Sequence, residues 1–224
     1  MAGLEIRSLQ KAYGKKEVLR GASLTAEAGS CVGILGSNGS GKSTLLNLID
    51  GIVPADAGEI LWHGSDLLRS TSLRAQTVGF VPQGTPLFEE LTAWDNLRLW
   101  YDRDTLEQQL HGGVLSMLGV GDFLRKRVST LSGGMKKRLS IGCAMASDPS
   151  LLLLDEPTAA LDLACKAEVN AYLSTFKASG GTVLLVTHDL AELSLCDSLY
   201  LLRDGLLEPY RWDGDAARLS EMLR

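Results

Sequence analysis

Short runs of aliphatic residues alternate along the chain with stretches whose apolar positions recur every three or four residues. That alternation predicts an α/β protein. Residues 4–9, 17–27 and 30–35 read as strands, the last ending at Gly36. A helix is predicted over 42–50, stopped by Gly51 with Pro54 beyond it. Strand patterns return at 59–62 and 78–81. From 86 to 147 the pattern turns helical, with Leu87, Leu91, Leu97, Leu99 and Leu115 set among polar residues. Residues 151–154 and 182–186 are uninterrupted apolar runs, the signature of central parallel strands covered on both faces. A helix over 164–177 joins them, and 199–202 with 206–208 predict a hairpin around Asp204-Gly205. The pattern describes a sheet core interrupted by a helical insert.

Composition narrows this picture. With 224 residues, 45% apolar and 22% charged, the chain suits one large domain or a core with an inserted lobe. A net charge of −5 argues against nucleic acid as a partner, since phosphate-backbone binding needs a basic face. No apolar run approaches the ~18 residues of a membrane-spanning helix. Glu5, Arg7 and Lys11 interrupt any secretory leader, so the expectation is a soluble, intracellular chain. Cys31, Cys143, Cys165 and Cys196 form no CxxC pair and read as reduced thiols, and His63 and His111 have no companion ligands. Trp94, Trp100 and Tyr101 read as packing of the helical lobe. Arg125-Lys126-Arg127 and Lys136-Lys137-Arg138 read as solvated basic faces.

Three segments carry chemistry. Gly36-Ser37-Asn38-Gly39-Ser40-Gly41-Lys42-Ser43-Thr44 fits G-x-x-x-x-G-K-[ST] between a strand and a helix. Its glycines let successive N–H groups face one phosphate chain, and the helix N-terminus adds roughly half a positive charge. Lys42 can reach the β- and γ-phosphates, and the Ser43 hydroxyl can ligate Mg²⁺. Residues 151–154 end in Asp155 and Glu156, whose side chains should diverge because a strand alternates its faces. One of the two can hold the Mg²⁺ shell while the other orients or deprotonates a water. Ser132-Gly133-Gly134, ahead of a predicted helix over 136–146, is either an ordinary serine-capped helix start or a second anion cradle. A single nucleotide does not need two such cradles from one chain, whereas a head-to-tail dimer does.

Taken in order, these motifs resemble the ATPase cassette of the ATP-binding-cassette (ABC) transporter family over about residues 3–208. The set comprises Tyr13 ahead of the first β-hairpin, the phosphate loop, Phe80-Val81-Pro82-Gln83, Leu131-Ser132-Gly133-Gly134-Met135, Asp155-Glu156, Ala160-Leu161-Asp162 and Val186-Thr187-His188-Asp189. The resemblance implies a P-loop NTPase fold with a mostly parallel core sheet, an N-terminal antiparallel β subdomain and an inserted α-helical subdomain. Residues 1–85 and 148–208 would form the RecA-like core with its β subdomain. Residues 86–147 would form the helical subdomain, and 209–224 a short tail with a helix over 215–224.

It further implies ATP and Mg²⁺ as ligands, with Tyr13 stacking on adenine and Gln83 sensing the metal and the water. Ser43, Gln83 and Asp155 would serve the metal. Ser132 and Gly134, with Gly133 between them, would reach the γ-phosphate across a dimer. Glu156 looks like the general base, His188 like the residue that holds the γ-phosphate, and Asp162 like a residue passing between subunits. Met135 stands where most family members carry glutamine, a variant similar to that of ABC-2-type exporter subunits.

The reading that follows is a transport ATPase on the cytoplasmic face of the membrane, paired as a homodimer or heterodimer and working on a transmembrane permease of another chain. Import is the alternative direction. A non-transport ABC ATPase is a second alternative. It is disfavoured by the acidic balance and by the lack of sustained heptads between Thr44 and Leu131. A P-loop small-molecule kinase would share the phosphate loop but has no use for Ser132-Gly133-Gly134 or His188.

Overall fold

The computed structural model describes residues 2–159 and 161–222. Ten strands are described: β1 (Ala2–Tyr13), β2 (Lys16–Glu27), β3 (Cys31–Leu35), β4 (Ala57–Trp62), β5 (Ser65–Asp66), β6 (Val78–Val81), β7 (Leu151–Asp155), β8 (Thr182–Val186), β9 (Ser198–Arg203) and β10 (Leu206–Tyr210). The helices are α1 (Lys42–Asp50), α2 (Thr71–Thr77), α3 (Ala93–Arg98), α4 (Arg103–Gly112), α5 (Val114–Met117), α6 (Gly133–Ala144), α7 (Leu163–Ala178), α8 (Leu190–Leu193) and α9 (Ala216–Met222).

Two sheets organise them. An antiparallel sheet runs in the order β2-β1-β4-β5, and a six-stranded sheet runs β10-β9-β3-β8-β7-β6. In the second sheet β3, β6, β7, β8 and β9 are parallel, and only the β9–β10 hairpin is antiparallel. This is the predicted architecture of a mostly parallel core beside an antiparallel β subdomain. The hairpin turns at Asp204 (φ 50°) and Gly205 (φ 78°), both left-handed, as a two-residue turn between right-twisted strands requires. The Gly205 carbonyl accepts from Arg20 N–H at 2.9 Å, tying the core sheet to β2.

Every residue of β3, β7 and β8 is buried, and their side chains alternate between two cores. Leu151, Leu153, Leu184, Val186, Val32 and Ile34 face the first core, which they share with α1 and the antiparallel sheet. Helix α1 is thus sandwiched between the two sheets, with Leu45, Leu46, Leu48 and Ile49 fully buried. Leu152, Leu154, Val183 and Leu185 face the second core, shared with the helical lobe and α7. Period-2 alternation within a continuous apolar run is what a strand covered on both faces demands.

The structure revises several expectations. The segment after Pro86 is not yet helical: α3 begins only at Ala93, behind a capping box of Thr92 and Asp95. Residues 86–92 are pinned by the buried Asn96 side chain, which accepts from Phe88 N–H at 2.9 Å and donates to the carbonyls of Phe88 and Thr92, each at 3.0 Å. Helix α6 starts at Gly133 rather than 136, because the Ser132 hydroxyl caps it. Tyr101 packs as expected and donates to the Gly142 carbonyl, but Trp100 is 66% exposed and packs nothing. The basic run at 136–138 is not a solvated face. Lys137 is buried, and Arg138 pairs with Glu168 at 2.7 Å and lies over the Phe123 ring. All four cysteines are free thiols. Of the predicted helix over 215–224, residues 223 and 224 lie outside the described residues, as does Ala160 of the predicted 160–162 loop.

Candidate functional site

Strand β3 delivers the chain into the phosphate loop, and α1 carries it away. Gly39 (φ 78°) and Gly41 (φ 110°) both adopt left-handed backbone. A Cβ on Gly41 would sit 2.7 Å from Val18 Cγ1, so both conformation and space require glycine there. No side chain caps α1, which leaves its first N–H groups available to an anion. Lys42 is buried and donates to the carbonyls of Gly36 at 2.7 Å and Ser37 at 2.9 Å, holding the loop as a ring around its own ammonium. Burial lowers the Lys42 pKa, and the carboxylates of Glu156 and Asp155 oppose that shift.

A cleft of about 540 Å³ opens over this loop. Tyr13, Asn38, Gly39, Gly41, Lys42, Ser43, Thr44, Gln83, Asp155 and Glu156 line it, together with Lys16 and Val18. The cleft therefore gathers residues predicted from four separate stretches of sequence. Gly36, Ser37 and Ser40 belong to the same loop on its other side: Ser37 and Ser40 line an adjoining cavity, and a Cβ on Gly36 would meet Ser40 Oγ at 2.7 Å. Tyr13 is 48% exposed at the cleft's edge, free to receive a planar ligand.

The strand alternation separates the two carboxylates as expected. Asp155 ends β7 and is buried, which raises its pKa, while the Ser43 hydroxyl and Lys42 favour its charged form. Glu156 lies just past the strand at φ 48°, a left-handed conformation unusual for a side chain of this length. Its amide donates to the Val186 carbonyl at 2.8 Å, fixing the residue between β7 and β8. Its two oxygens meet different partners. Oε2 accepts from Gln83 Nε2 at 2.9 Å, and Oε1 lies 3.5 Å from His188 Nε2. Burial, then the Lys42 charge, lowers the His188 pKa against the pull of Glu156 and Asp155, so the ring is neutral at neutral pH.

Mg²⁺ fits this donor set. Ser43, Asp155 and the Gln83 amide are hard oxygen donors, and the described residues contain no cluster of three or more His, Cys, Asp or Glu able to cage a metal alone. Few protein ligands, completed by phosphate oxygens and waters, is the ordinary arrangement for Mg²⁺.

The remaining predicted residues are not brought to the cleft. Ser132 and Gly133 are exposed, and neither they nor Gly134 line the cleft. Asp162 caps α7 by accepting from Cys165 N–H at 2.8 Å and stands apart as well. The two segments nevertheless touch each other: a Cβ on Gly134 would lie 2.4 Å from Cys165 Sγ.

Two contributors escaped the sequence reading. Glu192, fully buried on α8, accepts from the Thr187 hydroxyl, whose oxygen in turn accepts from Asp189 N–H at 2.9 Å. This arrangement braces the turn that carries His188. Lys137 donates to the carbonyls of Pro82 and Gln83. A buried polar residue four positions after a histidine and a lysine inside a helix pattern were the available signals.

The chain is similar to known proteins over most of its length. The ABC transporter family model matches residues 19–159. The linearmycin resistance ATP-binding protein LnrL of Bacillus subtilis (strain 168) is 35% identical over 207 residues, covering 90% of this chain and 67% of that protein. The Nod factor export ATP-binding protein I of Rhizobium meliloti (strain 1021) is 38% identical over 208 residues, covering 90% and 62%. The spermidine/putrescine import ATP-binding protein PotA of Spiroplasma citri is 36% identical over 212 residues, covering 92% and 60%. This chain thus spans less than two thirds of the length of the last two. Among solved structures, a dimeric ATP-binding cassette in a post-hydrolysis state with ADP and Pi superposes with a TM-score of 0.82 and 27% identity, covering 95% of this chain and 100% of that one.

Proposed function

The chain belongs to the ABC transporter family as an ATP-binding subunit, and from that premise we propose that it is the motor of an exporter, hydrolysing ATP between two cassettes to drive a separate transmembrane partner. The observation that carries this reading is the convergence of Lys42, Ser43, Asp155, Gln83 and Glu156 on one cleft, with His188 against the far side of Glu156. Export is supported by Met135 in the Leu131–Met135 motif and by two relatives whose names denote export or resistance. An import-named relative of similar identity keeps import as the second reading.

In this mechanism Tyr13 stacks on the adenine, and the α1 N-terminus with the loop amides surrounds the phosphates. Lys42 exchanges its contacts with the Gly36 and Ser37 carbonyls for β- and γ-phosphate oxygens. Ser43, Asp155 and Gln83 would hold Mg²⁺, which would supply charge neutralisation of the phosphates. Glu156 accepts the proton of the attacking water, flanked by Gln83 and by the neutral His188, whose N–H is available to the γ-phosphate. Positioning and charge stabilisation account for the rate, as in phosphoryl transfer generally. Ser132, Gly133 and Gly134 of one cassette close over the ATP of the other, and Asp162 lies where the two chains pass.

The simplest assembly is a homodimer, because every motif is intact on this chain. No described helix is long and apolar enough to cross a membrane; the transporter reading itself supplies the transmembrane partner and the cytoplasmic membrane face. The exposed Phe88, Leu99 and Trp100 of the helical lobe supply an apolar surface for that partner.

The test is Glu156→Gln in the full chain. Turnover should fall about 10²- to 10⁴-fold, the usual contribution of a general base, while ATP converts the protein to a stable dimer on gel filtration. Normal turnover, or a protein that stays monomeric with saturating ATP, would count against this reading.

A further inference from the structure

Lys137 lies inside the helical lobe, on the helix that Ser132 caps, with only 4% of its surface exposed. Its ammonium donates to the Pro82 carbonyl at 3.0 Å and the Gln83 carbonyl at 3.1 Å. Those two carbonyls follow the last residue of β6, where the ladder has ended and no sheet partner remains. Gln83 then reaches with its side chain to Glu156 Oε2 at 2.9 Å. A continuous path therefore runs from Ser132 through one turn of α6 to Lys137, to the Gln83 backbone, and to the carboxylate proposed as the base.

Packing makes the path stiff. Helix α6 runs so close to β6 that a Cβ on Gly79 would sit 2.8 Å from the Ala144 carbonyl. A neutral donor would satisfy two orphan carbonyls at lower cost, since burying an ammonium forfeits its hydration. Lys137 makes no ion pair among the described residues; burial lowers its pKa, and the field of Asp155, Glu156 and Glu192 opposes that shift. A charge kept buried, unpaired and on backbone oxygens one residue from the cleft holds the root of Gln83 more firmly than neutral hydrogen bonds would.

We infer that Lys137 is a positioning residue that couples the Ser132-Gly133-Gly134 segment to the Gln83–Glu156 pair of its own chain. The inference rests on the reading of that pair as part of the hydrolytic site. In the proposed dimer the segment touches the partner's ATP, whereas Gln83 serves the chain's own. Lys137 is then the link by which ATP at one site adjusts the base at the other.

A kinetic double-mutant cycle on the full chain tests this. Lys137→Met keeps the length of the side chain and removes its donors. It should lower kcat about tenfold, as for loss of about 1.4 kcal/mol of transition-state stabilisation, with KM for ATP changed less than about twofold. On a Gln83→Ala background the same change should lower kcat less than about twofold, because the group it positions is gone. Lys137→Gln, which still donates to the carbonyls, should recover part of the loss, and it carries the cycle if Lys137→Met does not fold. Full kcat in Lys137→Met, or an equal loss on both backgrounds, would overturn the inference while leaving the site intact. Wild-type kcat in Gln83→Ala alone would instead overturn the reading of the pair, and the inference with it.

Discussion

The chain opens a helix after a glycine-rich turn twice, and the two turns are finished in opposite ways. At α1 the capping position is Gly41, with no side chain, and the turn lies between the two sheets with Lys42 folded back onto it. At α6 the cap is Ser132, whose hydroxyl accepts from Met135 N–H at 3.3 Å, and the turn stands exposed. The first is a concave site whose donors await a ligand. The second satisfies itself and offers an anion only what remains after capping. The same backbone physics thus gives a cleft open to a ligand in one place and, in the proposed dimer, a closing element in the other. What separates them is whether surrounding structure supplies walls.

The contrast is tested most severely by deleting its centre. Lys42→Ala should weaken ATP binding to the isolated chain about 10²-fold or more, the cost of truncating a buried charge contact, measured with a fluorescent nucleotide. Wild-type affinity would mean that the loop amides alone hold the phosphates, and the contrast with the second turn would collapse. Gly134→Ala probes the other member. Its new Cβ would meet Cys165 Sγ at 2.4 Å, so the exposed turn must shift. Turnover should fall about tenfold by this overpacking, while nucleotide affinity of the isolated chain stays within about twofold. A matching loss of affinity would show that the second turn already serves the chain's own cleft.

The smallest effect is in pH. The His188 pKa is lowered in the folded protein, so whatever the neutral ring contributes is present above the ordinary value and lost as pH falls through the lower folded one. Turnover should therefore hold through the ordinary histidine range near about pH 6.5 and decline only below it. The His188 ring resonances in NMR should titrate with the same displaced midpoint. A midpoint at or above the ordinary value would remove His188 from the buried, Lys42-facing position described.

Much of this arrangement was legible in the sequence because it is local. The bounds of α1, β6 and β8 coincide with the pattern, since each is an apolar run punctuated by glycine or by polar residues. Asp155 and Glu156 diverge because strands alternate. What the pattern hid depends on distant partners. Helix α2 has a single large aliphatic residue, Leu73, and takes its start from the Ser70 cap. Residues 86–92 show leucines at helical spacing but are held out of a helix by one buried asparagine. Lys137 lies among basic residues that read as surface, and only tertiary packing reveals the carbonyls it serves.

One backbone angle has a consequence for the history the protein can have. Glu156 holds φ at 48°, a region that costs a non-glycine residue roughly 1–2 kcal/mol and that asparagine or glycine occupies more easily. Drift toward a more stable fold therefore runs downhill toward losing the carboxylate. In the proposed mechanism, glutamate at 156 keeps the base in place at that cost. A copy of this chain freed from hydrolysis, retained only to bind nucleotide in a mixed pair, would be expected to change first at this position.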